Sequence, residues 1–175
     1  MNHPTIHLPA SALILLIGVS GAGKSTFARR HFLPTEVISS DHCRALICDN
    51  ENDQTVTADA FELLHVLAAK RLKRRRLTVI DATNVQAGAR QSLMDLARQF
   101  DCPLVAIVLD MPEQVLNDRR KTRTDRSFAD PVLHRQRRDL WLWTRYLEYE
   151  GFSKVYRLKS PEEVDQIRII RQPEQ

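Results

Sequence analysis

The sequence predicts an α/β fold in which a parallel β-sheet is sandwiched between helices. Short apolar runs alternate with amphipathic stretches of 3.6-residue periodicity along the chain. A glycine-rich turn joins the first of these runs, Ala12–Ile17, to a helix. Several of the predicted strands also end in a polar residue, and sheets of this kind bind their ligands at the carboxyl ends of the strands. These three observations together indicate a ligand-binding α/β domain.

Each element follows from a local signal. Apolar or β-branched runs predict strands at 12–17, 35–39, 77–80, 103–109 and 152–158. Helical periodicity and capping residues predict helices at 25–31, 41–48, 57–72, 87–100, from 112 into a basic segment at 119–126, from 131 to about 150, and from 161. Pro34 and Gly151 mark helix ends, and the polar run 49–54 predicts an exposed loop.

Composition limits the class of protein. A chain of 175 residues with 43% apolar and 27% charged residues is typical of one soluble globular domain. Its three cysteines are an odd number without a C-x-x-C pair, which predicts reduced thiols in a cytoplasmic protein and argues against a zinc site. The N-terminus lacks a signal-peptide pattern, and no apolar run approaches about 18 residues. We therefore expect no membrane partner.

The positive charge is concentrated in one region. The formal net charge is +4, but residues 117–138 contain eight Lys or Arg and three Asp, a local net of +5. The remainder of the chain is therefore at −1. Such concentration predicts that an anionic ligand meets the protein there.

The glycine-rich turn carries the strongest motif. The sequence G-V-S-G-A-G-K-S fits G-x-x-x-x-G-K-[ST], the phosphate-binding P-loop, and lies between a strand and a helix as that motif requires. It predicts a P-loop NTPase that binds ATP and Mg²⁺, with Lys24 at the β- and γ-phosphates and the Ser25 hydroxyl on the metal. The three glycines can take positive φ and let backbone N–H groups close around phosphate oxygens. The predicted ATP-binding residues here are Gly18, Ser20, Gly21, Ala22, Gly23, Lys24, Ser25 and Thr26.

Two charged residues follow the second strand in S-S-D-H-C-R. The Asp41 carboxylate can accept a proton from a hydroxyl that attacks the γ-phosphate, or it can simply cap its helix. Arg44 shares a helix face with Asp41 because it lies three positions further. Its guanidinium can hold a substrate phosphate or pair with Asp41. The pattern does not separate these roles.

Three polar residues follow the third strand in D-A-T-N. Asp81 occupies the usual place of the second acidic residue of P-loop proteins, near the magnesium, which it would reach through a water molecule. The alternative is a cap of the next helix. Thr83 and Asn84 are candidates for contacts with nucleotide or substrate, and a tight turn explains them equally well.

The basic segment 119–126 predicts a mobile lid. In small P-loop kinases such a segment is where a mobile lid supplies arginines to the transferring phosphate; a solvated, salt-bridged helix end is the alternative. We expect a single P-loop domain over 1–175, with its core at about 10–118 and 150–170 and its lid at about 119–149. Trp141 and Trp143 cannot share one helix face, so we expect one in the core and one half exposed.

Five segments together resemble the 5′-hydroxyl polynucleotide kinase domain of bacterial polynucleotide kinase–phosphatases, the end-healing enzymes of RNA repair. They are G-V-S-G-A-G-K-S-T-F-A-R, T-E-V-I-S-S-D-H-C-R, E-N-D-Q-T, L-T-V-I-D-A-T-N-V, and Arg119 and Arg123 before H-R-Q-R-R. The resemblance covers about residues 10–170. The P-loop is shared by very many proteins, whereas the S-S-D-x-x-R and E-N-D-Q segments are far more specific.

The resemblance implies ATP-dependent phosphorylation of a 5′-OH end on RNA or DNA. By this similarity Lys24 and Ser25 serve ATP and Mg²⁺, and Asp41 is the general base. Arg44 would hold the phosphate on the 3′ side of the terminal nucleoside, and Arg119 and Arg123 would hold the ATP phosphates. Lys24, Asp41 and Arg123 are thus the expected catalytic residues.

One departure from that family leaves alternatives open. The bacterial enzymes carry phosphatase and ligase-like modules after the kinase, whereas this sequence ends at Gln175. We expect either an excised kinase domain, whose partners would include such modules, or a free-standing relative with a changed acceptor. A kinase of a small-metabolite hydroxyl and a weakly hydrolysing regulatory module are the other two classes that the motifs allow.

Overall fold

A five-stranded parallel β-sheet forms the centre of the molecule. The computed structural model describes residues 4–122 and 130–173. The strands are β1 (Thr5–Leu8), β2 (Leu13–Ile17), β3 (Val37–Ser39), β4 (Thr78–Asp81), β5 (Leu104–Leu109), β6 (Lys154–Leu158) and β7 (Arg168–Arg171). The central sheet has the order β3-β4-β2-β5-β6, and every pairing in it is parallel. The predicted α/β fold with a parallel sheet flanked by helices is confirmed.

The helices occur where periodicity predicted them. They are α1 (Lys24–His31), α2 (Ser40–Cys48), α3 (Thr57–Leu72), α4 (Ala87–Gln99), α5 (Glu113–Thr122), α6 (Asp130–Thr144) and α7 (Pro161–Gln166), with 3₁₀ turns at Pro34–Glu36 and Leu147–Tyr149. None of the helices in the described ranges has both the length and the apolar character needed to cross a lipid bilayer.

Three predicted boundaries are wrong. The strand predicted at 35–39 begins only at Val37, because residues 34–36 form a 3₁₀ turn. The strand predicted at 152–158 begins only at Lys154. The helix expected to reach residue 150 ends at Thr144. Its last carbonyls accept hydrogen bonds from arginines instead of from further helical N–H groups: Trp143 from Arg90 Nη2 at 3.1 Å, and Thr144 from Arg157 Nη2 at 2.5 Å.

The core lies on both faces of the central strands. Every residue of β2 is fully buried, and β5 is buried along its whole length. Strands covered by helices on both faces are near-continuous apolar runs, which is why L-I-L-L-I and L-V-A-I-V-L show no alternation. This rigid centre fixes the loops that follow the strands.

A second, two-stranded sheet pairs β1 with β7 in parallel. It joins segments at opposite ends of the sequence, with Thr5 opposite Arg168 and Leu8 opposite Arg171. Ile6 and Leu8 are fully buried. Neither strand was predicted, because each has only four residues and its partner is remote in sequence.

The register of the central sheet brings the predicted site residues to one edge. Leu16 of β2 and Ser39 of β3 both pair with Asp81 of β4, so these three residues form a row at the carboxyl ends of their strands. The P-loop follows two residues after Leu16, and Asp41 follows two residues after Ser39. Parallel strands with this register therefore place the P-loop, Asp81 and Asp41 side by side.

Candidate active site

The P-loop wraps around the side chain of Lys24. The Lys24 ammonium donates hydrogen bonds to the carbonyl oxygens of Gly18 at 2.8 Å and Val19 at 2.9 Å, and only 7% of the residue is exposed. A buried ammonium needs such partners because burial removes its hydration. Lys24 also begins α1, so the positive charge lies at the positive end of a helix dipole. Both features favour an anion at this position.

The three glycines of the motif serve different purposes. Gly21 and Gly23 have φ angles of 83° and 99°, as predicted. Gly18 is not among the described residues with positive φ. Close packing explains why glycine is needed at position 18, because a Cβ atom there would lie 2.8 Å from the carbonyl oxygen of Leu109. The P-loop can therefore approach the end of β5 only with glycine at this position.

Two residues of the predicted lid contact the P-loop. Arg119 at the end of α5 donates to the carbonyl oxygens of Gly21 at 3.2 Å and Ala22 at 2.9 Å. The side-chain oxygen of Gln136 on α6 accepts a hydrogen bond from the Ser20 N–H at 2.9 Å. Arg119 was predicted to lie near the ATP phosphates, and its guanidinium does lie against the loop. Gln136 was not predicted, because nothing in a lone glutamine indicates a loop partner.

Asp81 lies at the base of the site and is only 6% exposed. Burial raises the pKa of its carboxyl group, and the nearby Asp41 charge raises the pKa further. A hydrogen bond with the Ser25 side chain and the charge of Lys24 lower that pKa, but burial has the larger effect. Asp81 is thus close enough to Asp41, Ser25 and Lys24 to interact with each of them.

Replacing Asp81 by asparagine is expected to stabilise the protein at neutral pH in buffer without nucleotide or magnesium. Because the folded-state pKa of Asp81 is raised above its ordinary 3.8, the folded protein binds this proton more tightly than the unfolded chain. Its contribution to stability therefore falls as the pH rises from 3.8 to the raised value. The gain in Tm of Asp81→Asn over wild type should be largest above that window and disappear below it.

The matched control for this measurement is Asp110→Asn. Asp110 directly follows β5 and is exposed. Because its side chain lies at the surface, its substitution should change Tm at neutral pH little. An Asp81→Asn protein that is less stable than wild type at neutral pH would show that the Asp81 charge stabilises the fold.

Asp41 and Arg44 form an ion pair across one turn of α2. The Arg44 Nη2 donates to Asp41 Oδ1, and its Nε donates to the carbonyl oxygen of Glu51 at 2.8 Å. Arg44 is 6% exposed, whereas the Asp41 side chain is 31% exposed. The N-cap of α2 is Ser39, whose side-chain oxygen accepts from the His42 N–H at 3.3 Å. Asp41 is therefore not the residue that caps this helix.

Thr83 and Asn84 connect β4 to β2. The Thr83 carbonyl accepts from the Gly18 N–H at 3.0 Å. Asn84 has a φ of 49° and donates from Nδ2 to the Leu16 carbonyl at 2.9 Å. It is 2% exposed, and its Oδ1 has no hydrogen-bond partner among the described residues. These contacts favour the tight-turn interpretation for Asn84.

Arg90 is a buried residue that the sequence analysis missed. It is 0% exposed and donates to the carbonyl oxygens of Asn84 at 2.8 Å and Val85 at 2.9 Å. The same guanidinium reaches Glu150 at 2.9 Å and 2.5 Å. It thereby joins the loop after β4 to the segment after α6. An amphipathic pattern offers no signal for a buried arginine, since charged residues are expected on the solvent face.

A cavity of about 440 Å³ opens beside the P-loop. Its lining includes Val19, Met111, Leu140, Trp141, Arg145 and Lys159. Charged side chains form much of its wall, since Arg137, Glu148 and Arg157 also line it. The predicted catalytic residue Arg123 lies outside the described residues, so the structure gives no position for it.

The fold and the site together define a kinase-like P-loop domain. A parallel sheet, a P-loop between β2 and α1, and a buried acid at the end of β4 beside Ser25 are its features. The chain belongs to the AAA domain family, whose model matches residues 13–147. No curated protein matches the chain.

Solved structures with a similar fold include kinases of different substrates. A Chloroflexus aurantiacus protein that is named only provisionally as a kinase has a TM-score of 0.61 at 17% identity, covering 86% of this chain and 85% of that one. A gluconokinase from Sinorhizobium meliloti has 0.56 at 19% identity, covering 90% of each chain. A chain of the Pnkp1/Rnl/Hen1 complex has 0.53 at 22% identity, covering 74% of this chain and 43% of that one. These identities are too low to show more than a shared fold.

Proposed function

We propose that the protein is an ATP-dependent kinase that transfers the γ-phosphoryl group to the 5′-hydroxyl end of RNA or DNA. The observation that carries the proposal is the Asp41–Arg44 pair, a carboxylate and a buried guanidinium beside the P-loop. The fold alone supports phosphoryl transfer without naming an acceptor, since a gluconokinase has a similar structure.

The residues present fit Mg²⁺ and ATP. The P-loop with positive φ at Gly21 and Gly23 can direct N–H groups at phosphate oxygens, and Lys24 supplies positive charge. Ser25 and Asp81 offer the oxygen ligands that Mg²⁺ prefers alongside substrate phosphates. Mg²⁺-bound ATP supplies the transferable phosphoryl group and an ion that neutralises the charge developing on it.

Asp41 is the candidate general base. Its carboxylate is partly exposed beside the P-loop and can accept the proton of an acceptor hydroxyl as that oxygen attacks phosphorus. The Arg44 guanidinium on one side of the carboxylate fixes its orientation. Lys24 and Arg119 both contact the P-loop, and there they would stabilise negative charge on the transferring phosphoryl group.

Arg44 is the candidate ligand of the first internucleotide phosphate. Its contacts to Asp41 and Glu51 within the described residues use Nε and Nη2, which leaves Nη1 for a phosphate oxygen. Binding energy from this non-reacting phosphate would align the 5′-hydroxyl with Asp41.

Four kcat/KM values test the role of Arg44: wild type and Arg44→Ala, each with a nucleoside and with its 3′-monophosphate as acceptor. We expect wild type to prefer the 3′-monophosphate by roughly 10- to 100-fold, as for a charge-assisted hydrogen bond. Arg44→Ala should lose most of this preference with little change in ATP affinity. Arg44→Lys should retain part of it, because lysine keeps the charge without the fork of donors.

The matched control is Arg98→Ala. Arg98 and Asp95 form another Asp–Arg pair with i,i+3 spacing, at 2.8 Å on α4. Its loss should not alter acceptor preference. Equal use of both acceptors by wild type would contradict the proposal.

One observation favours the alternative, a kinase of a small-metabolite hydroxyl: Arg44 is 6% exposed and already has two partners. Turnover of a small alcohol with neither nucleoside phosphorylated would support that alternative.

A further inference from the structure

One side of α6 combines arginines with exposed aromatic rings. Helical spacing places His134, Arg138 and Trp141 on this side of α6, with Arg135 and Leu142 along the adjacent row. Arg145 and Tyr146 directly follow the end of the helix at Thr144, and the Arg145 guanidinium lies over the Trp141 ring. The seven residues, named here the α6 stripe, are His134, Arg138, Trp141 and Arg145 with Arg135, Leu142 and Tyr146.

The aromatic residues of the α6 stripe are exposed. Trp141 is 62% exposed and Tyr146 is 59% exposed. The Arg145 guanidinium lies 4.6 Å from the Trp141 ring centroid and 5.8 Å from that of Tyr146. The expectation of one core tryptophan is wrong, since Trp143 is also 48% exposed. Large aromatic rings that lie more than half exposed on one surface are typical of a surface that binds a partner.

The charge of the α6 stripe is of one sign. Asp139 is the single acidic residue between 134 and 147, and it is 6% exposed. Its carboxylate accepts from Gln86 Nε2 at 2.9 Å, and the Arg138 Nε lies 4.0 Å from its other oxygen. The stripe itself carries three arginines and no acid. Its charge is therefore complementary to an anionic partner.

We propose that the α6 stripe binds single-stranded nucleic acid, with unpaired bases stacked on Trp141 and Tyr146 and backbone phosphates against Arg138 and Arg145. Aromatic rings interleaved with arginines are the chemistry by which proteins hold single strands without reading their sequence. This inference rests on the proposed function, because it gives the acceptor a second contact beyond its terminal nucleotide.

The location of α6 suits that role. Gln136 lies on the opposite side of the helix and contacts Ser20 of the P-loop at 2.9 Å. Trp141 also lines the cavity beside Val19. A strand held on the α6 stripe would therefore pass beside the P-loop, at the cavity that Trp141 and Val19 line.

The test compares a long and a short acceptor in the same variants. Binding of a 3′-fluorescein-labelled single-stranded 10-mer is measured by anisotropy, and kcat/KM is measured for the unlabelled 10-mer and for a nucleoside 3′-monophosphate. Trp141→Ala should weaken 10-mer binding on the order of tenfold and lower kcat/KM for the 10-mer alone. Arg145→Ala should reduce the salt dependence of 10-mer binding, because one phosphate contact is lost.

Trp143→Ala is the matched control, since it removes the same ring from another side of the same helix; it should bind the 10-mer like wild type. Trp141→Phe should restore most of the binding.

Unchanged 10-mer affinity in Trp141→Ala, with the nucleoside 3′-monophosphate still phosphorylated, would overturn this inference and leave the proposed function standing. Stripe-dependent binding of the 10-mer with no phosphorylation of either acceptor would support the inference and overturn the proposed function.

Two further outcomes would assign the stripe to another occupant. A raised KM for ATP in Trp141→Ala, without weaker 10-mer binding, would mean that the ring contacts the donor nucleobase. A wild-type dimer that Trp141→Ala converts to a monomer, measured by light scattering, would mean that a second copy of the chain covers the face. Either result overturns the proposal.

Discussion

Replacing Asp41 by asparagine is expected to reduce phosphoryl transfer by about 10²–10⁴-fold, the usual contribution of a positioned general base. An amide cannot accept the acceptor's proton, although its oxygen can still receive the hydrogen bond of Arg44. ATP affinity should therefore change little. The measurement is single-turnover phosphoryl transfer at saturating ATP, with nucleotide binding followed separately.

The matched control for this variant is Asp59→Asn. Asp59 is an exposed acid in the first turn of α3, as Asp41 is an acid in the first turn of α2. Loss of a favourable charge at a helix N-terminus is common to both, so a general effect on helix stability would appear in both. If the activity of Asp41→Asn is within a few-fold of that of wild type, Asp41 is not the general base.

Lys24→Ala should lower kcat by on the order of 10²–10³-fold or more, because Lys24 supplies the buried positive charge of the P-loop. Nucleotide affinity should fall as well. The nucleotide-free variant should remain folded with a modest loss of stability, since the removed ammonium donates to the carbonyl oxygens of Gly18 and Val19. Turnover, nucleotide binding and Tm of the nucleotide-free protein are the three readouts.

Lys70→Ala provides the comparison, since Lys70 is an exposed lysine on α3. It should leave all three quantities unchanged. A large fall in the Tm of nucleotide-free Lys24→Ala would instead show that Lys24 mainly stabilises the fold of the P-loop.

The parts of the fold that the sequence predicts are those specified by local chemistry. The P-loop motif requires a strand before Gly18 and a helix from Lys24, and both are present. The position of Asp81 follows from a buried strand ending at a charged residue. Each of these signals is contained within a few neighbouring residues.

The parts that were missed depend on contacts remote in sequence. β1 and β7 become strands by pairing with each other, and four residues with prolines nearby carry no strong signal alone. The buried position of Arg90 arises because Glu150 and the loop after β4 converge on it. The Gln136 contact with Ser20 arises from the path of α6 across the sheet. These partners are remote in sequence, so the pattern of a short stretch of residues does not reveal them.

The pairing of β1 with β7 has a mechanical consequence. Tension applied through the chain on either side of the domain pulls on the N-terminal end of β1 and the C-terminal end of β7. Because the strands are parallel, these two forces slide the strands along each other. The ladder is loaded in shear, so its hydrogen bonds, including those from Arg168 N–H to the Pro4 carbonyl at 3.0 Å and from Gln172 N–H to the Leu8 carbonyl at 2.8 Å, resist together instead of opening one at a time. Force applied between the two ends of the described chain would therefore load this ladder before it loads the central sheet.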